Sequence, residues 1–171
     1  MRQASRHSAK NGTRQDRVEP ESSRDLADRL YRNATECVRQ RERYARLVRS
    51  GTPELEQRSA LSVACLCDEI LREGVLEYEK LATAEASKPA DDWRHKANAL
   101  WLASREYQRR HHNCDESSRQ LSSRKPEKLH ELAMEYDLEA SALLALRLAL
   151  AAYRKVCPDC ELETRAQSFV A

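Results

Sequence analysis

Four stretches of ~30 residues carry apolar side chains at three- and four-residue steps, and turn-forming residues fall almost only between them. Three glycines and five prolines occur in 171 residues. A β-sandwich needs many more turns, and a dinucleotide-binding α/β fold needs glycines after its strands. Leu, Ala, Glu and Arg dominate instead, the composition of long helices. The expectation is an all-α, antiparallel up-down-up-down four-helix bundle over residues 22–157. A disordered basic tail over 1–21 precedes it, and a tail or short helix over 158–171 follows.

The boundaries rest on local chemistry. Ser22 or Ser23 can cap the first helix, with Asp25 in its first turn. Leu26, Leu30, Ala34, Cys37, Tyr44 and Val48 make its stripe, which Arg41 interrupts and should leave by snorkelling. Gly51 should end it as the residue after the cap. Thr52-Pro53-Glu54 reads as a cap with Pro at the first helical position. The third segment has the cleanest heptad, with Trp93, Leu100, Tyr107, Cys114 and Leu121 every seven residues. Ala97, Ser104, His111 and Ser118 fill the alternate seam. The fourth starts near Pro126 and is apolar nearly all round between Leu138 and Leu150. Such a helix is either the most buried one or has a partner surface. Short connections make sequential helices antiparallel neighbours.

No run of 18 apolar residues is present, and the N-terminus has no apolar signal region, so neither a membrane span nor a secretory leader is expected. The six cysteines follow helical spacing rather than a disulfide framework. Reduced thiols and a cytoplasmic setting are expected.

Three constellations could carry chemistry. Cys157 and Cys160 have the spacing of half a zinc site, and His95 falls near the same bundle end as a third ligand. A tetrahedral site needs a fourth. Cys37 lies 14 residues before Gly51 and Cys65 14 after it, and His111 falls at a similar depth. An up-down bundle puts all three at one level, with Asp68 and Tyr107 near enough to make a hydrogen-bonded core layer. Glu127 and His130 have the E-x-x-H spacing of di-iron bundles, but that chemistry needs two copies. Glu131, Glu135 and Glu139 read as a solvated ladder.

Net charge is +2, but it is unevenly spread. Residues 39–58 hold six Arg against three Glu, and 105–130 hold seven bases against four acids. Residues 65–95 and 131–163 are acidic in compensation. One pole of the bundle should be basic. Arg39, Arg43, Arg46, Arg49, Arg109 and Arg110 are the candidates there for nucleic-acid binding.

No paired catalytic residues and no cofactor motif appear. The leading expectation is a non-enzymatic interaction or adaptor bundle, contacting a protein partner or itself. An accessory nucleic-acid-binding bundle is the alternative, and a zinc-binding bundle the next.

Overall fold

The computed structural model describes residues 22–84, 91–119 and 126–157. They form four helices and, among the described residues, no strand: α1 (Ser23–Arg49), α2 (Glu54–Ala84), α3 (Asp92–Arg119) and α4 (Pro126–Arg154). The protein is an all-α four-helix bundle. The 1–21 and 158–171 segments lie outside the described residues, as do Leu121 and Cys160.

Helix ends follow their caps. Ser22 Oγ accepts from the Asp25 amide at 3.1 Å while the Asp25 carboxylate accepts from the Ser22 amide, also at 3.1 Å. Two otherwise orphaned donors are satisfied by one reciprocal pair. At the far end Gly51 takes φ 67°, and the Thr52 and Gly51 amides donate to Leu47 and Val48 carbonyls. That is the Schellman closure, which needs a residue without a Cβ penalty at positive φ. Pro53 sits one step earlier than expected: it precedes α2, and its carbonyl accepts from the Gln57 amide at 3.2 Å.

The bundle is two hairpins. α1 packs most extensively on α2 and α3 on α4, with α2–α3 and α1–α4 contacts joining them less closely. The core concentrates towards one end, around Ala27, Leu30, Tyr31, Leu71, Val75, Tyr78, Leu100, Leu146 and Tyr153. Tyr31 and Tyr153 rings lie 5.5 Å apart, and Tyr153 Oη donates to Asp28 at 2.6 Å. Arg24 reaches the Val156 carbonyl at 2.6 Å, and its guanidinium lies over Trp93 and Tyr153. One side chain thus ties α1 to α3 and to the end of α4.

Three expectations are corrected. Arg41 does not snorkel: its side chain is 17% exposed and turns inward. Glu139 is no rung of a solvated ladder: it faces His111. Cys157 is disulfide-bonded rather than a reduced thiol, whereas Cys37, Cys65, Cys67 and Cys114 are free.

α4 does not meet the first of its two readings. Among the described side chains of the helix only Ala142, Leu146 and Tyr153 are buried. It is not the most buried helix and, like α2, leaves several large apolar side chains exposed.

Candidate functional site

Two features stand out, a charged layer inside the bundle and an uncovered face on its outside. The layer takes one side chain from each helix: Arg41, Asp68, His111 and Glu139. The Arg41 guanidinium donates to both Asp68 and His111 Nε2. Arginine has no acceptor, so Nε2 is the unprotonated nitrogen. His111 Nδ1 then carries the hydrogen and donates to Glu139 at 2.6 Å. Asp68 accepts further from the Cys37 thiol at 3.1 Å, and the Asp68 carbonyl from Gln108 Nε2 at 3.2 Å. The Tyr107 ring stacks on the imidazole with centroids 6.0 Å apart. The Arg41 Nε is buried without a partner among the described residues.

Electrostatics follow this wiring. Burial works to lower the Arg41 value, but Asp68 more than offsets it and the guanidinium is held charged. The hydrogen bond from His111 holds Glu139 below the ordinary carboxylate range against the opposing effect of burial. Burial first, then Asp68, pushes the Cys37 thiol up, so it stays protonated. Burial and Glu139 push Cys114 up to about 12. Protonated thiols are poor nucleophiles and poor metal ligands. A cleft of ≈ 380 Å³ opens beside the layer, with Cys65, Arg72, His112 and Arg119 on its walls. Its arginines are already matched: Arg72 by Glu69 at 2.6 Å and Arg119 by Asp115 at 2.7 Å.

Of the residues expected to meet zinc, none of the described ones belongs to this layer. His95 is exposed in the first turn of α3, and Cys160 lies outside the described residues. Cys157, in a disulfide, presents no thiolate. Among the described residues no three His, Cys, Asp or Glu converge as a metal site.

The basic pole divides. Arg39, Arg43 and Arg46 recur along one side of α1, and Arg39 pairs with Glu36 at 2.9 Å. Arg49 donates to the Ala45 carbonyl. On α3, Arg109 and Arg110 share Glu106 at 2.7 and 2.8 Å, and these two bonds hold Glu106 down at about 2. The α3 cations are therefore already engaged.

The outer face of α4 is the larger anomaly. Met134, Leu138, Ser141, Ala145 and Leu148 are all exposed, and Ala152 is half-buried. They alternate by four and three residues, the spacing of a coiled-coil seam. Leu148 is 65% exposed, Leu144 beside it 57% and Met134 53%. Single exposed leucines are ordinary, whereas this seam runs across five turns of one helix. α2 has a shorter counterpart in Leu55, Val63, Leu66 and Ile70, which runs out at Glu73 and Glu77.

Sequence reasoning named His111 but missed Arg41 and Glu139, its two direct partners. Neither family models, nor curated proteins, nor solved structures give a match to this chain. Among the described residues no helix is long and apolar enough to cross a membrane.

Proposed function

We propose that the protein is a non-enzymatic interaction module whose outer α4 face docks a helix of another polypeptide. The observation that carries this is the seam of exposed Met134, Leu138, Ser141, Ala145 and Leu148 with half-buried Ala152, backed by Leu144. Core demand does not explain these side chains, because α4 already buries Leu146 and Tyr153 inward. Burying one exposed leucine is worth about 1.5–3 kcal/mol at most, so three or four together can drive a contact. The inward layer of charged groups supports the reading from the other side. It fixes how the two hairpins sit and spends its ionisable groups on one another. A reducing compartment such as the cytoplasm fits the four free thiols, with the Cys157 disulfide standing against it.

A photo-crosslinking residue at Ala145, in the middle of the seam, tests the docking in cells that make the protein. A discrete adduct is expected, and the same residue at exposed Arg72 should give none. Failure to form an adduct at Ala145 removes the proposal.

A second reading, accessory nucleic-acid binding, is favoured by one observation. Arg43 and Arg46 are exposed neighbours with no ion-pair partner among the described residues. Retention on RNA or heparin at about 50 mM salt, falling steeply by about 200 mM, would support it. Arg43→Ala with Arg46→Ala should abolish it, and an unchanged profile removes it.

A further inference from the structure

We infer that the helix docked on α4 is the α4 of a second copy of this chain, running antiparallel. The inference rests on the docking reading above and names its partner.

The charge along α4 is polarised. Residues 127–139 hold Glu127, Glu131, Glu135 and Asp137 against Lys128, besides the inward-facing Glu139. Residues 140–157 hold Arg147, Arg154 and Lys155 and no acid. A parallel copy would lay acidic half on acidic half. An antiparallel copy lays each acidic half on a basic one, and it also opposes the helix dipoles.

The seam fits itself in that direction. Centred on Leu143, an antiparallel copy puts Leu138 opposite Leu148, Met134 opposite Ala152 and Ser141 opposite Ala145. Small faces small at the middle, where backbones approach most closely. Leucine meets leucine one layer out, and large meets small at the ends. Every layer joins one residue of each seam position, as antiparallel coiled coils do. Exposed Glu131 falls opposite Lys155, beyond the last apolar layer. The shorter α2 stripe has no such closure, because its continuation is Glu73 and Glu77.

The test uses the full chain in light scattering and sedimentation from about 1 to about 200 μM, a range that resolves a concentration-dependent dimer. A dimer is expected. Leu138→Glu and Leu148→Lys each alter an exposed side chain, so each variant should fold, as circular dichroism will verify. Each alone should weaken self-association by at least about tenfold. An equimolar mixture of the two should restore it. In the mixed pair one layer sets the introduced carboxylate of one copy against the introduced ammonium of the other, and its mate keeps two leucines. In a parallel pair those charges never meet. A wild-type monomer at the highest concentration overturns the inference, as does a mixture that fails to recover. A monomer whose Ala145 crosslinks to a different protein overturns the second copy and leaves the docking reading standing. A monomer with no crosslink removes both.

Discussion

Arg41 is the side chain on which the charged layer turns. It reaches across the hairpins from α1 to His111 of α3, while it also pairs with Asp68 of α2. Both members of the Arg41–Asp68 pair are 17% exposed. Removing one partner of such a pair leaves a charge that water reaches poorly. Full burial would make that loss about 3–5 kcal/mol, and partial exposure reduces it. We expect Asp68→Asn to cost about 2–3 kcal/mol in urea unfolding, just below that range. A change below about 0.5 kcal/mol, typical of surface sites, would mean that solvent already screens the pair. Glu139 gives the layer a pH dependence. Its folded-state value is depressed, chiefly by the bond from His111, so the folded chain binds that proton more weakly than the unfolded chain. The stabilisation is complete above the unfolded value of about 4.3 and is lost as pH falls through the lower folded value. Glu139→Gln removes the ionisation and keeps an acceptor for Nδ1–H. Its unfolding midpoint should therefore fall less than that of the wild type between about pH 5 and pH 3. Parallel curves for the two proteins would deny Glu139 this part.

Helix by helix, the elements differ in how plainly their residues announce them. α1 is bounded by a capping box and by a glycine at φ 67°. Both are local devices, decided within six residues, so Ser22, Asp25 and Gly51 could be read from the chain alone. Gly51→Ala meets no neighbour but must hold a positive φ, and should cost about 1 kcal/mol in thermal unfolding. The α3 heptad was equally legible, since Leu100, Tyr107 and Cys114 are buried as their spacing requires. α4 was not. A helix apolar on every side does not say which arc receives a neighbour. Arg41 and Glu139 were hidden for a related reason. A charged residue at helical spacing looks the same whether it faces water or three other helices, and only their relative rotation decides. The two sides of α4 now separate by substitution. Leu146→Ala empties a fully buried site and should cost about 2–5 kcal/mol. Leu148→Ala, measured at dilutions where the chain is monomeric, should cost under about 0.5 kcal/mol. Equal costs would mean that the outward face of α4 is covered within the single chain.

Across the whole molecule, the charged layer divides a packed half from a thin one. Towards the α1 start and the α4 end, Leu30, Leu71, Leu100, Leu146 and Tyr153 are fully buried, and Arg24 locks three elements together. Beyond the layer, towards Gly51, the described residues bury only Ala60, Ala64, Cys67 and Cys114, all small side chains. Apolar area removed from water is the main stabilising term, so the free energy of opening should fall along the bundle axis. Hydrogen exchange read by mass spectrometry measures this directly. Amides in residues 27–38, 70–79, 97–107 and 142–153 should exchange only through global unfolding. Those in 44–60, 112–119 and 127–136 should exchange through a smaller opening that leaves the packed half intact. The layer itself should mark the boundary, because Arg41, Asp68, His111 and Glu139 can separate only by exposing charges that now satisfy one another. Asp68→Asn should therefore move the boundary towards the packed half, giving residues 60–70 and 105–111 the faster exchange of the thin half. Uniform protection along all four helices would contradict the division, and with it the idea that the polar layer separates two levels of stability.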